Sequence, residues 1–319
     1  MLPASLAVVA GFILLAWSAD RFVDGAASIA RHFRISPMII GLTIVSLCTS
    51  FPEMLVAALA ASAGNSDIGI GNALGSNIAN IGLVLGITAM ISPLSVQSLT
   101  LRREIPVLFL VMFLALALMA DGDLSRVDGM ALLAGLLLML WWLTRLGIKE
   151  RNDPLEDEYD DVIPAGMTLK RSMFWFVTGL AVLIISSRIV VWGSVEIAHM
   201  FGISDLVIGL TIIAIGTSLP ELMASVMGAL KGEHDLAIGN VIGSNMFNIL
   251  AVLSMPALIH PQAFAADALL RDFPVMLLFS VALFLMAFGF RSDGRINRLE
   301  GALLAGGFIG YLYLLYLQV

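Results

Sequence analysis

The chain has 319 residues, of which 59% are hydrophobic and only 13% charged, with a formal net charge of -7 and a mean hydropathy of +0.97. Soluble proteins carry about a quarter of their residues as charged groups, so this composition excludes a soluble globular protein, predicts no nucleic-acid partner and indicates an integral membrane protein. The single cysteine, Cys48, excludes an internal disulfide and a cysteine-based metal centre, and the four histidines (His32, His199, His234, His260) show no ligand spacing.

A bilayer core of about 30 Å takes about 20 helical residues to cross. Apolar runs of that kind recur ten times, broken by Gly, Pro, Asp and Arg. The first, 3–24, begins at Leu2 with no basic segment and no small-residue cleavage site before Asp20 and Arg21, which reads as a retained helix and not a secretory signal. The second, 36–63, holds the phrase GLTIVSLCTSFPE at 41–53. The third, 68–91, starts beside Asp67, read as a helix N-cap, and holds GNALGSNIAN at 71–80. Spans 104–120 and 127–147 follow, the fourth led by Arg103-Glu104, read as an interfacial anchor. A hydrophilic linker at 149–169 concentrates six acids: Asp153, Glu156, Asp157, Glu158, Asp160 and Asp161. It lacks the glycine and alternating spacing of an EF-hand loop and reads as a solvated connection. Beyond it come 171–192, then 205–230 with GLTIIAIGTSLPE at 209–221, then 236–259 beside Asp235 with GNVIGSNMFN at 239–248, then 272–290 led by Arg271-Asp272, and finally 299–317.

Alternate connections hold unequal numbers of Lys and Arg: with the N-terminus outside, fourteen fall on the cytoplasmic side and three, Arg126, Arg188 and Arg271, on the other. Cytoplasmic loops of membrane proteins carry the basic excess. The sequence therefore predicts an all-α polytopic protein of ten transmembrane helices with both termini outside.

Shifting the chain by 168 residues aligns Gly41 with Gly209, Glu53 with Glu221, Asp67 with Asp235 and Arg103 with Arg271 without a gap, and eighteen of the forty positions from 41 to 80 are identical. Each half holds five spans. An odd number forces the second copy to enter from the opposite side, so the halves are inverted repeats related by a pseudo-twofold axis in the membrane plane. The expected organisation is a five-helix repeat over 1–148, an acidic cytoplasmic linker over 149–169 and a second repeat over 170–319. The most similar stretches are 37–91 and 205–259.

Proline lacks the N–H owed to the carbonyl four residues earlier, so Pro52 releases the carbonyl of Cys48 and Pro220 that of Gly216. Around each break stand two hydroxyls (Thr49 and Ser50, Thr217 and Ser218) and one carboxylate (Glu53, Glu221), with Ser76, Asn77 and Asn80 or Ser244, Asn245 and Asn248 supplied by the next span. Such an all-oxygen set suits hard cations. An uncompensated carboxylate at a helix centre costs about 2.5 to 3.5 kcal/mol on insertion scales, and no Lys or Arg is placed at matching depth. A cation is the natural partner.

The paired GTSLPE-like and GNxxGSNxxN motifs, in two inverted halves, resemble the alpha repeats of the cation/Ca²⁺ exchanger superfamily, and within it the prokaryotic Na⁺/Ca²⁺ exchangers of the YrbG type. The resemblance covers nearly the whole chain. It implies ten helices in the cytoplasmic (inner) membrane and a central site for several Na⁺ and one Ca²⁺ as transported ions, with no cofactor. It also implies alternating access by sliding of the first and sixth helices against the rest. Position by position it implies Glu53 and Glu221 as the Ca²⁺ carboxylates. Thr49, Thr217, Ser50, Ser218, Ser76 and Ser244 then complete the cation shells with the backbone carbonyls of Ser46 and Ala214, beside Asn80 and Asn248. Two departures stand out. Asn248 occupies a position where archaeal exchangers and the potassium-dependent branch have Asp, which argues against K⁺ dependence, and Cys48 stands where the second half has Gly216.

The inverted repeat favours an antiporter over a cation channel, whose pore usually lies on an axis between subunits, and nothing beyond the two glutamates supports a membrane hydrolase. Na⁺ and H⁺ both remain open as the driving ion, with the Thr and Ser ligands favouring Na⁺. Cys48 fits either a small buried apolar residue or a wall of the ion path.

Overall fold

Residues 2–33, 35–96, 98–150, 167–201, 214–288 and 294–317 are described by a computed structural model. The acids of the linker, residues 205–213 of the second repeat stretch and the last residues of the expected ninth span lie outside them.

Among the described residues the chain forms ten helical rods in succession. The first five are α1 (Leu2–Phe33), α2 (Pro37–Thr49, then Phe51–Ser62), α3 (Ser66–Ile91), α4 (Ser98–Met119) and α5 (Arg126–Glu150). The second five are α6 (Leu169–Met200), α7 (Ala214–Thr217, then Leu219–Leu230), α8 (His234–Ile259), α9 (Ala268–Ala287) and α10 (Arg298–Leu317). Seven are long and apolar enough to cross a membrane, eight when the two segments of α2, bent by 41°, count as one. Large exposed side chains such as Leu110, Leu137, Leu270 and Leu299 clothe the outside, as a lipid-facing surface requires.

Helix ends depart from the sequence reading in instructive ways. α1 runs nine residues past the expected end at 24 because its charges are paired inside the helix rather than solvated beyond it: Arg21 lies 3.8 Å from Asp24 one turn on. Asp67 and Asp235, expected as N-caps, are the second residues of α3 and α8, whose N-cap positions are Asn65 and Glu233. There they face the positive end of the helix dipole, and Asp67 Oδ1 accepts the Ala265 N–H at 3.1 Å, tying α3 to the loop before α9. The expected anchor Asp272 is buried: Arg271 grips both its oxygens, at 2.7 and 3.1 Å, and the Tyr311 hydroxyl donates to it at 2.9 Å. Glu104 is buried too.

The most apolar window of α8 is entirely buried and that of α3 is 72% buried, whereas α1, α5 and α10 keep theirs largely outside. The motif-bearing helices are thus the centre of the bundle. Backbones approach closely there because glycine lines the crossing of α2 and α8: a Cβ on Gly239 would lie 2.6 Å from the Met38 carbonyl, and one on Gly243 2.6 Å from that of Leu42.

α1 and α6 pair along their length and build a second apolar cluster, from Leu15, Phe22, Phe176 and Leu183 among others, separate from the main core. Their contact obeys the repeat: Gly11 and Gly179, and Gly25 and Gly193, are 168 residues apart, and each meets the opposite helix. A Cβ on Gly25 would sit 2.6 Å from the Phe176 nitrogen, and one on Gly179 2.7 Å from that of Phe22.

Two short antiparallel ribbons stitch the halves together. β1 (Leu94–Ser95) pairs with β4 (Arg295–Ile296), and β2 (Asp123–Leu124) with β3 (Gln262–Ala263). β1 and β3 are 168 residues apart and β2 and β4 172, so each ribbon is the repeat image of the other. Opposed Cα atoms in antiparallel pairs lie about 4.5 to 5.5 Å apart, within disulfide reach. In a Cys48→Ala background, Leu94→Cys with Ile296→Cys should therefore oxidise to an intramolecular disulfide, read by mobility in non-reducing gels. Absence of the bridge would contradict the Leu94–Ile296 register.

At the end of the bundle where α7 meets α8, Lys231 Nζ reaches Asp20 Oδ1 at 2.8 Å and Asp24 Oδ1 at 2.5 Å, and Arg31 reaches Glu233 at 3.1 Å. This clamp of α1 onto the α7–α8 turn has no repeat image. The positions 168 residues away from Asp20, Asp24, Lys231, Glu233 and Arg31 hold Arg188, Trp192, Ala63, Asn65 and His199.

Candidate functional site

Both helix breaks fall where proline demands. Ser50 and Ser218 leave helical geometry (φ -82°, ψ 2° and φ -88°, ψ 4°), and Pro52 and Pro220 sit in the first turn of the segment that resumes. The resumed helix carries Glu53 or Glu221 in its first turn, where the dipole favours a carboxylate. The carbonyl that Pro220 releases, that of Gly216, accepts the Ser187 hydroxyl of α6 at 2.9 Å. The first half differs, since Ala19 stands at the position of Ser187.

α3 and α8 face these breaks and are themselves irregular in the same place. A π-type turn begins at Asn80 in α3 (Asn80–Leu85) and at Asn248 in α8 (Asn248–Val252). Such turns are rare and concentrate at functional sites because they re-aim side chains within a continuous helix. Here each turn opens on the Asn that closes the GSNxxN phrase.

Glu53 and Glu221 are each 1% exposed. Ser50 from the first repeat donates to Glu221 Oε1 of the second at 3.5 Å, so the two half-sites form one centre. Glu53 Oε2, Glu221 Oε2, Asn80 Oδ1, Asn248 Oδ1, Ser218 Oγ and Ser244 Oγ are all buried without a hydrogen-bond partner among the described residues. Buried oxygens are normally satisfied. Among the described residues neither glutamate has an ion pair with Lys or Arg, and no cluster of three His, Cys, Asp or Glu exists, so the site's negative charge comes from two carboxylates.

The other expected ligands fall as follows. Thr49 and Ser50 are fully buried and Ser76 nearly so, while Thr217 is half-buried at the second break. The Ser46 carbonyl accepts the Ser50 N–H at 2.9 Å and lies 3.3 Å from the Thr49 hydroxyl. Ala214 opens the described part of α7. Cys48 is half-buried and packs on the α1–α6 cluster, and at its repeat position Gly216 a Cβ would meet the Val191 side chain. Asn77 donates to Met276 Sδ at 3.2 Å, while both amide atoms of buried Asn245 lack a partner.

Sequence reasoning missed three residues. Asn72 donates to the Glu53 carbonyl at 3.1 Å and Asn240 to the Glu221 carbonyl at 3.3 Å, so a side chain of α3 or α8 holds the backbone of each site glutamate. Their signal was present as the identical Gly-Asn pair opening both GNxxGSNxxN phrases. Ser187, on a separate helix 29 residues from the carbonyl it caps, left none.

Two copies of one sequence repeat, packed at glycine-lined contacts and each broken at a proline beside buried oxygens, make up a polytopic all-helical membrane protein. The chain belongs to the family described as sodium/calcium exchanger protein, which it matches over residues 4–145 and 171–317. It is 52% identical to the putative antiporter CaxA of Alkalimonas amylolytica, over 99% of both chains. It is 42% identical to the inner membrane protein YrbG of Escherichia coli K12, over 99% of this chain and 98% of that one. Among solved structures, the sodium-calcium exchanger NCX_Mj soaked with Na⁺ and Ca²⁺ superposes with a TM-score of 0.83 at 33% identity, covering 98% of each chain.

Proposed function

We propose that the protein is a secondary active antiporter of the cytoplasmic (inner) membrane that exchanges Ca²⁺ for Na⁺ by alternating access at this central site. The observation that carries the reading is the set of buried oxygens without hydrogen-bond partners around Glu53 and Glu221. Glu53, Glu221, Ser50, Ser218, Ser76, Ser244, Thr49, Thr217, Asn80 and Asn248 are the cation-binding residues of this reading, with the carbonyls of Ser46 and Ala214 at the margins. Desolvating two carboxylates without counter-charge is prohibitive, so the bare site does not change sides. Ca²⁺ or Na⁺ must load before the protein reorients, which makes transport an obligatory exchange.

The reading includes ten membrane-crossing helices in two inverted repeats, 1–148 and 170–319, joined by a cytoplasmic linker, with both termini outside. Same-end contacts support that alternation. The β1–β4 ribbon and the Ser92–Ala229 hydrogen bond join loops of one end, and the β2–β3 ribbon with the Ser66–His260 and Asp67–Ala265 contacts joins loops of the other.

The test is uptake of radioactive Ca²⁺ into proteoliposomes with Na⁺ and pH gradients imposed separately. An outward Na⁺ gradient should drive uptake, and external Na⁺ should compete with Ca²⁺ for the shared oxygens, raising the apparent Km for Ca²⁺. With two site charges, Ca²⁺ loading is neutral, as is loading with two Na⁺, whereas three Na⁺ leave one positive charge. Dependence of the rate on membrane potential therefore reads the number of Na⁺ moved. Uptake driven by a pH gradient alone, with Ca²⁺ affinity indifferent to Na⁺, would replace Na⁺ by H⁺ as the driving ion.

A further inference from the structure

Asn240 is 1% exposed and lies on α8 between the two helix breaks. Its side-chain amide Nδ2 donates to the Glu221 carbonyl at 3.3 Å and to Ser225 Oγ at 3.0 Å, both on α7, and its Oδ1 receives the Thr49 hydroxyl of α2 at 3.2 Å. Both N–H groups of the amide are engaged on α7 and its oxygen takes the Thr49 hydroxyl of α2, so it braces the two helices against each other.

The orientation of this amide follows from its neighbours. A backbone carbonyl only accepts, so the nitrogen must face Glu221 and the oxygen must face Thr49. Besides the Glu221 carboxylate, two acceptors lie within reach of the single Thr49 proton, Asn240 Oδ1 and the Ser46 carbonyl, and both draw it away from that carboxylate. A hydroxyl can ligate a cation only through a lone pair, with its proton aimed elsewhere. The Thr49 proton is aimed elsewhere by a residue that also grips the backbone of Glu221.

We propose that Asn240 is a positioning residue of the cation site, orienting the Thr49 hydroxyl lone pairs for Na⁺ and coupling that ligand to the Glu221 half of the site. The proposal rests on the Na⁺/Ca²⁺ exchange reading above. Ser225 takes part only by holding Asn240, and its repeat position is Ala57, so the brace in this form belongs to the second half.

The experiment measures Na⁺-driven uptake of radioactive Ca²⁺ in proteoliposomes as a function of Na⁺ for wild type, Asn240→Ala, Thr49→Ala, Ser225→Ala and the doubles with Thr49→Ala. Loss of a buried hydrogen-bond partner corresponds to about a tenfold change in an equilibrium constant. Asn240→Ala should therefore raise the half-saturating Na⁺ concentration about tenfold while keeping the maximal rate, and Ser225→Ala should raise it less. Adding either change to Thr49→Ala should give no further increase. A merely structural lesion would instead lower the maximal rate and leave half-saturation in place, and that result overturns the proposal, as does multiplication of the Thr49 and Asn240 effects. Should Asn240→Ala fail to fold, the Thr49 and Ser225 pair decides alone, because among the described residues Asn240 hydrogen-bonds both side chains: independent effects overturn the proposal. Wild-type protein without Na⁺-driven uptake overturns the exchange reading itself and this proposal with it.

Discussion

Glu53→Gln and Glu221→Gln should each abolish Ca²⁺ transport, with a loss of at least about 100-fold, while the protein still inserts and folds. Glutamine keeps the size and one acceptor oxygen but removes half of the site's negative charge. Breaking a buried charge interaction by removing one partner costs about 3 to 5 kcal/mol, or about 150-fold at the lower figure. Folding is spared because removing a charge from the bilayer eases insertion, and because Asn72 and Asn240 hold these residues by their backbone carbonyls, which the substitution leaves alone. Two measurements check this: Ca²⁺ uptake, and the rise in melting temperature that Ca²⁺ gives any protein whose folded state binds it. Both signals should vanish in either variant, with the ion-free melting temperature equal or higher. Wild-type exchange by both variants would remove the ions from this site.

Gly243→Ala should produce the second large effect, on stability. The added Cβ would lie 2.5 Å from Ser46 Oγ, 2.6 Å from the Leu42 carbonyl and 2.8 Å from its Cα. Two of these three atoms are backbone of α2 and cannot rotate away, so α2 and α8 must separate where the site is assembled. Overpacking of this kind costs about 1 to 3 kcal/mol or more, a drop of up to about 10 °C in melting temperature for a chain of this size. Gly306→Ala is the matched control, since a Cβ there meets nothing within 4 Å and relieves the entropic disadvantage of glycine in a helix, worth about 0.5 to 1 kcal/mol. Equal melting temperatures for the two variants would contradict the close approach of α2 and α8.

The helix breaks were legible because proline acts locally: Thr-Ser-x-Pro-Glu fixes the kink and the carboxylate within five residues, and its recurrence 168 residues later fixes the symmetry. The π-type turns at Asn80 and Asn248 were not, because no residue type specifies an extra backbone unit inside a helix; tertiary packing selects it. The overrun of α1 past residue 24 was hidden for a related reason. Asp20, Arg21 and Asp24 look like a solvated end until Lys231, more than two hundred residues later, is seen to receive the two carboxylates. The hydrogen bonds of Asn240 and Ser187 are of the same long-range kind, invisible to any window along the chain.

That clamp also bears on how the protein divides its time. Two identical halves related by inversion would have mirror-image end states of equal energy, each occupied half the time at rest. Lys231, Asp20, Asp24, Arg31 and Glu233 join α1 to the α7–α8 turn, and their repeat positions hold Ala63, Arg188, Trp192, His199 and Asn65, which cannot reproduce the same set of ion pairs. Electrostatics at the rim therefore adds to the differences between the halves that Ser187 and Asn240 already make beside the ion site. About 1 kcal/mol of net attraction would skew an even balance to roughly 5:1 in favour of the conformer that keeps the clamp. Because the side chains involved are a quarter to a third exposed, added salt screens that preference and returns the resting populations toward parity, leaving the chemistry of the centre untouched.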